Sequence, residues 1–191
     1  MRQRPHNTYT RHIIKIYKMA MNILHELVER GIIDQKNSAG IEVEMKESGR
    51  TAEEIILDRN IISEDVIFKV KSETIGVTLK RVPSAEVALE VLEIIPEETT
   101  ATYKMVPLAR KNDVVEIGMV YPESMSAQDA LRFLSRQGKF RYEVYLITLT
   151  DFDKLLKQHR TLGGETEKAL AEIEKTRKEN MSLLKKNPKQ R

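Results

Sequence analysis

The fold is decided by an eight-residue stretch, LVERGIID at Leu27–Asp34, which recurs 29 residues later as ILDRNIIS at Ile56–Ser63. Gly31 and Asn60 occupy the same place in the two copies, and both residue types readily adopt left-handed backbone. Each copy therefore predicts a helix, a tight left-handed turn and the start of a second helix.

The residues around the first copy have helical periodicity. Ile23 and Leu24 precede Leu27 and Val28 at three- to four-residue spacing, which predicts one apolar helix face. In both copies the turn contains a pair of isoleucines and ends on an N-cap residue type, Asp or Ser. The second helix of the first copy is predicted to reach about Glu47 and to end at Ser48-Gly49. Two such hairpins would stack as a small helical bundle over residues 21–76, since two copies are too few for a solenoid.

The second half of the chain has a mixed pattern. Ser84 is predicted to cap a helix that reaches Ile95, and Pro96 opens a short helix that ends near Tyr103. An edge strand over Lys104–Arg110 and a strand over Val114–Tyr121 predict a hairpin.

A third strand and two more helices follow this hairpin. Ser124 or Ser126 is predicted to cap a helix that Gly138 closes. The strand at Tyr142–Leu149 becomes apolar on both faces, as in a central strand. Thr150 and Asp151 are predicted to cap a further helix. The fold class is therefore α+β, with tandem helical hairpins, a small ββαβα layer and a charged C-terminal helix.

The carboxyl-terminal stretch is predicted to be a separate helix. Gly163-Gly164 predicts a flexible joint, and Glu165–Lys185 has high helix propensity and a dense charge pattern. It can be a solvated helix or a coiled-coil-like contact, with a thin apolar stripe at Ala169, Leu170, Ile173, Met181 and Leu184. The expected organisation is a flexible basic arm (1–20), the hairpin bundle (21–76), the α+β subdomain (77–160) and the joint with its tail (161–191). Met19 or Met21 is an alternative start of translation.

Composition limits the function classes. The 191 residues contain no cysteine, so disulfides and thiolate chemistry are excluded. No apolar run approaches the roughly 20 residues of a membrane span. We expect a cytoplasmic protein, with peripheral attachment to the inner membrane through a partner as an alternative. The net charge of +3 is uneven: residues 1–19 carry +5, residues 20–160 carry −5 and residues 161–191 carry +3. Basic ends can bind nucleic acid nonspecifically, but no specific nucleic acid is expected.

Signatures of catalysis are missing from the sequence. It has no phosphate-binding loop of the G-x-x-x-x-G-K-[ST] type. The pair Asp151 and Asp153 is better explained by helix capping than by acid–base catalysis. We therefore expect no enzyme, no catalytic residue and no cofactor. No metal site is expected either, because the histidines are isolated from one another (His6, His12, His25 and His159).

Several phrases, in their order, resemble the amino-terminal domain of type II secretion and type IV pilus assembly ATPases (general secretory pathway protein E, N-terminal domain). The resemblance covers roughly residues 22–160. It rests on LVERGII, the helix that ends KESG, EIILDRNIISED, IIPEE followed by YKMVPL, VEIGMVYPE, and ALRFL.

This resemblance implies a domain that precedes a hexameric motor ATPase and docks on an inner-membrane platform or adaptor protein. No motor half with a Walker A motif is present in this sequence. The chain is then expected to be a non-catalytic interaction or regulatory module, either stand-alone or from a split or truncated gene. Its expected partner is a platform or adaptor protein or a separate motor ATPase.

Some members of the family bind cyclic di-GMP through an Arg-Leu-Gly motif, a later Gly and a distal Gln. This sequence departs from that pattern, which leaves two alternative functions: a cyclic di-GMP-type receptor with a degenerate motif, or nonspecific nucleic-acid binding through the basic tails. Loss of the Arg removes a bidentate phosphate donor, and loss of the Gly adds a side chain where backbone must approach the ligand. Arg50 lies one residue before Thr51, the position that matches the motif arginine, and is the single candidate nucleotide-binding residue. The motif positions are occupied by Thr51, Ala52, Glu53, Asn60 and Thr74.

Overall fold

The computed structural model describes residues 23–82 and 87–186. The basic arm, Ser84 and the last five residues lie outside the described residues. Helices α1 (residues 23–29), α2 (Gln35–Ser48), α3 (Ala52–Asp58) and α4 (Glu64–Ile75) come first. They are followed by α5 (Leu89–Leu92), α6 (Glu97–Tyr103), β1 (Met105–Lys111), β2 (Val114–Met119), α7 (Met125–Gly138), β3 (Arg141–Leu146) and α8 (Leu149–Lys186). This architecture confirms the α+β class.

The two predicted hairpins have the same turn. Gly31 and Asn60 have left-handed backbone, with φ of 67° and 52°. The amide of Ile32 donates to the carbonyl oxygen of Leu27 at 2.9 Å, and the amide of Ile61 donates to that of Ile56 at 3.1 Å. Equivalent residues thus make equivalent hydrogen bonds at an offset of 29 residues.

The capping predictions have mixed outcomes. The Asp34 side chain accepts from the amide of Asn37, and Gly49 ends α2 with a φ of 71°, as predicted. The Ser63 side chain makes no capping bond at α4. Ser124 caps α7 through the amide of Ala127.

The sheet has the order β1-β2-β3. Strands β1 and β2 form the predicted antiparallel hairpin, with a register irregularity between Pro107 and Ala109. Strand β3 pairs with β2 in parallel, so β2 is the central strand and the prediction that β3 is central is wrong. Beyond β3, the described residues add an isolated parallel bridge between Leu79 and Leu146. The two-sided apolar pattern lies at the end of β3 and just beyond it, where Leu146 and Ile147 are buried in the core, and it does not reflect a central position.

The core consists of two clusters on opposite faces of the sheet. The larger one combines buried residues of both hairpins, such as Leu27 and Phe68, with Val106, Leu146 and Phe152. The smaller one joins β2 to α7 (Val115, Ile117, Met119, Ala127 and Leu131, with Ile95, Met105 and Phe140). Because the larger cluster draws on residues before and after residue 77, hairpins and sheet share one interior.

Three predicted helix boundaries are wrong. Within the described residues 87–95, the helix predicted over 84–95 is confined to Leu89–Leu92. Helical backbone is disfavoured in the residue directly before a proline, which agrees with an end short of Pro96. Helix α8 begins at Leu149, and Thr148, in place of Thr150 or Asp151, accepts from the amide of Asp151 at 3.2 Å. Helix α8 also continues through Gly163 and Gly164, so the predicted joint is wrong. A glycine lowers helix stability by only about 1 kcal/mol, which a long helix tolerates.

Candidate functional site

Arg50, the candidate nucleotide-binding residue, lies between α2 and α3. One guanidinium nitrogen is 3.2 Å from Asp58 Oδ2 and 3.5 Å from Glu44 Oε1. The other terminal nitrogen donates to the carbonyl oxygen of Glu54 at 3.2 Å. The side chain is 39% exposed and is held by the acids of its own fold.

The positions that match the nucleotide motif have structural contacts. Thr51 caps α3 in a reciprocal capping box with Glu54. Ala52 is fully buried, and the Thr74 hydroxyl donates to the carbonyl oxygen of Val70 at 2.9 Å. Asn60 forms the turn of the second hairpin. Glu53, the remaining position, is part of a buried ion cluster that the sequence prediction missed.

This ion cluster is centred on Lys71 of α4, whose side chain is 3% exposed. Its Nζ lies 2.6 Å from Glu53 Oε1 and 2.9 Å from Glu123 Oε1, and it donates to the carbonyl oxygen of Val120 at 3.1 Å. The three ammonium protons therefore have three acceptors. We call Glu53, Lys71 and Glu123 the ion cluster.

Tyr121 covers the ion cluster. Lys71 Nζ is 4.5 Å from the centroid of its ring, within the range of a cation–π contact. The Tyr121 hydroxyl and the Thr51 hydroxyl are hydrogen bonded at 2.9 Å. The amino-terminal end of α3 is thus joined to the chain segment that follows β2.

The electrostatics of the cluster favour the charged form of Lys71. Burial by itself would lower the pKa of Lys71, but the charges and hydrogen bonds of Glu53 and Glu123 outweigh it and hold this pKa above its ordinary value. Burial, reinforced by the negative charge of Glu53, raises the pKa of the Tyr121 phenol. A lysine with a raised pKa and a phenol with a raised pKa are poor proton donors at neutral pH, so the cluster is suited to holding the fold together and unsuited to acid–base catalysis.

A second ion pair supports the same junction. Glu54 Oε1 lies 3.4 Å from Lys104 Nζ, and Glu54 also accepts from the Thr51 amide. Burial would raise the pKa of Glu54, but the Thr51 amide and the Lys104 charge outweigh it and lower this pKa. In the residues that the structure describes, no group of three His, Asp or Glu side chains is arranged to hold a metal ion.

A comparison with protein families finds a match in the part of the chain that follows the hairpins, which includes part of the ion cluster. The model of the MshEN domain matches residues 76–166. We call residues 76–166 the MshEN-like region. Val120, Tyr121 and Glu123 lie within the MshEN-like region, whereas Glu53 and Lys71 belong to the hairpins that precede it.

Known proteins agree with this assignment. The type IV pilus assembly ATPase PilB of Acinetobacter baylyi is 24% identical over 136 residues, which are 71% of this chain and 23% of PilB. A solved structure of MshE with cdg has a TM-score of 0.58 at 19% identity and covers 73% of this chain and 96% of its own. A solved structure of the N-terminal domain of XpsE has a TM-score of 0.54 at 16% identity. The match covers 82% of this chain and 97% of the XpsE domain. The two structures share the fold, and together with the domain match they confirm the resemblance found in the sequence.

Lys71 itself carries the signal that could have revealed the cluster. In α4 it follows Ile67 and Phe68 at helical spacing and so lies on the buried face of the helix. A lysine on an apolar helix face needs a buried acceptor. Its partners could not have been identified, because Glu123 is 52 positions further along the sequence.

Proposed function

We propose that this chain is a non-catalytic interaction module of a type IV pilus or type II secretion machine. It would dock on the cytoplasmic part of a platform or adaptor protein, or on a separate motor ATPase. The observation that carries the proposal is the match of residues 76–166 to the MshEN domain, in a chain that spans 23% of a pilus assembly ATPase. Among the helices that the structure describes, none is long and apolar enough to cross a membrane.

The internal chemistry supports a binding role. The ion cluster and the pair of Glu54 with Lys104 use their charges to join the hairpins to the MshEN-like region. Loss of one partner of a buried pair leaves an uncompensated charge, so the contacts of Lys71 help to fix the hairpins against residues 76–166.

Helix α7 is the proposed docking surface. Phe133 is 65% exposed, which is unusual for a large aromatic side chain, and Arg132 and Arg136 are exposed beside it. An aromatic residue flanked by arginines is typical of interface anchors. The expected partner surface is apolar with an acidic rim.

The test measures binding of the purified chain to the cytoplasmic regions of platform and motor proteins from the same organism, by biolayer interferometry. We expect saturable binding that Phe133→Ser weakens at least tenfold. Val43→Ser is the control, since Val43 is 53% exposed on a different helix, α2. Absence of binding to every platform and motor protein would contradict the proposal, and equal binding by both variants would exclude α7 as the surface.

A second candidate function is a nucleotide receptor, which the structural likeness to MshE with cdg favours. Calorimetry with cyclic di-GMP tests it, and Arg50→Ala should abolish the heat of binding if Arg50 contacts the ligand. Arg59→Ala is a matched control, because Arg59 is also exposed and also pairs with Glu44. Flat heats with the unmodified chain at high micromolar ligand would reject this candidate.

A further inference from the structure

Helix α8 extends well beyond the core. Its first part contributes Phe152, Leu155 and His159 to the buried interior. Its distal part, residues 162–186, is about 37 Å long at 1.5 Å per residue. The side chains described there are exposed over 172–177, and Ile173, an apolar residue, is 63% exposed.

The sequence of this distal part contains an uncharged stripe. Positions three, four and seven residues from Ile173, and their continuation in both directions, share one side of an α-helix. The single charged residue among them is Arg177. The uncharged ones are Leu162, Thr166, Ala169, Leu170, Ile173, Thr176, Asn180 and Leu184.

The charges of the distal part are segregated along the helix. Residues 162–174 contain four acids and one base, which gives −3, and residues 175–186 contain five bases and one acid, which gives +4. The sign changes between Glu174 and Lys175. Two parallel copies would place like charges side by side, whereas two antiparallel copies place each acidic half against a basic half.

We propose that the distal part of α8 is a self-association surface, and that its occupant is the same helix of a second copy of this chain in antiparallel orientation. An antiparallel pair centred on the change of sign brings together residues at equal distances from that point. Ala169 then lies level with Asn180 of the second copy. Arg177, the charge within the stripe, lies level with Glu172 of the second copy and pairs with it. The inference is independent of the proposed docking function.

The first test is sedimentation velocity of the full chain over a range of protein concentrations and salt. We expect a monomer–dimer equilibrium that salt weakens, because the attraction between the halves is electrostatic. An acid-reversed variant (Glu165, Glu167, Glu172 and Glu174 to Lys) and a base-reversed variant (Lys175, Arg177, Lys178, Lys185 and Lys186 to Glu) should each be monomeric alone and should form a heterodimer when mixed.

The control is Glu29→Lys with Glu47→Lys, two exposed acids of the first hairpin, which should dimerise like the unmodified chain. Circular dichroism checks that every variant keeps its helix content. A chain that stays monomeric at all concentrations and salt conditions would overturn the proposal. So would reversed variants that each dimerise as well as the unmodified chain.

The second test determines the orientation of the two helices. Because the chain has no cysteine of its own, each variant has a single thiol that can form a disulfide. Ala169→Cys and Asn180→Cys variants are oxidised separately and after mixing. Antiparallel pairing predicts a disulfide-linked heterodimer from the mixture and little product from either variant alone. A homodimer from Ala169→Cys alone, with none formed between the two variants, would indicate parallel pairing and overturn the proposal.

Discussion

The two helical hairpins share a turn but differ in what their helices bury. In the first hairpin, Leu24 and Glu42 occupy the positions that Glu53 and Lys71 occupy in the second. Leu24 is buried in the apolar core and Glu42 is partly exposed, whereas Glu53 and Lys71 form a buried ion pair. One backbone motif therefore has two roles, a plain core element and an element joined by charge to the MshEN-like region.

The difference has an energetic consequence. A buried ion pair contributes little net stability compared with apolar side chains of the same volume, but removal of one partner leaves an uncompensated buried charge. The second hairpin is therefore expected to be much more sensitive to substitution at Lys71 than the first is at Glu42. A substitution at Glu42 therefore serves as the control for the same substitution at Lys71.

The largest expected effect is that of Lys71→Met. It leaves the buried Glu53 and the largely buried Glu123 without their counterion, so we expect the free energy of unfolding to fall by about 3–5 kcal/mol. Urea denaturation followed by circular dichroism measures the loss. Glu42→Met, at the same place in the first hairpin, should change stability by less than about 0.5 kcal/mol. Equal effects of the two substitutions would contradict a stabilising role for the ion cluster.

The next effect concerns the coupling of Glu53 with Lys71. The double variant Glu53→Leu with Lys71→Met reproduces an apolar pair like that around Leu24 and removes one of the two stranded carboxylates. We expect it to be more stable than Lys71→Met alone by about 1–3 kcal/mol, because one stranded buried carboxylate is gone. The coupling energy, which also needs the single variant Glu53→Leu, should be about 0.5–3 kcal/mol. A double-mutant cycle in urea measures this coupling. Additive losses would show that Glu53 and Lys71 act independently.

The sequence predicted the hairpins well because their information is local. Gly31, Asn60 and the N-cap residue Asp34 each act within a few positions of their place in the chain. The same holds for the β1–β2 hairpin and for the cap of α7 by Ser124. Prediction failed where two local signals compete. The glycine pair at 163–164 lies within α8, because the high helix propensity of the flanking residues outweighs the low propensity of glycine.

The candidate site was beyond local reasoning. Arg50 became a candidate because it lies one residue before Thr51, the position that matches the arginine of the nucleotide motif. The structure places its side chain among Glu44, Asp58 and Glu54. The ion cluster depends on contacts across 18 and 52 positions of sequence, from Glu53 to Lys71 and from Lys71 to Glu123. Periodicity can place Lys71 on a buried face, but only the packing of α4 against the segment after β2 identifies its acceptors.

A smaller effect is expected for Tyr121→Phe, which removes the hydrogen bond to Thr51 and should cost about 0.5–1.5 kcal/mol. Tyr145→Phe is the control, since its hydroxyl bonds Glu143 in an exposed setting. The pKa of Tyr121 is raised in the fold, so its stabilising contribution is complete below its ordinary pKa of 10.0 and decreases as the pH rises above that value. Stability measured from pH 8 to 11 should therefore decrease less steeply in Tyr121→Phe, and identical slopes would contradict the assignment.

The smallest effect tests the feature that the two hairpins share. Gly31→Asn and Asn60→Gly exchange the turn residues, and each should change the free energy of unfolding by less than about 0.5 kcal/mol, because both residue types accept left-handed backbone. Gly31→Ala should cost about 1 kcal/mol through backbone strain alone, since a Cβ atom at Gly31 would meet no other atom within 4 Å. Urea denaturation resolves the three variants. If Gly31→Asn were as costly as Gly31→Ala, the two turns would not be equivalent, and the likeness of the hairpins would be limited to their hydrogen bonds.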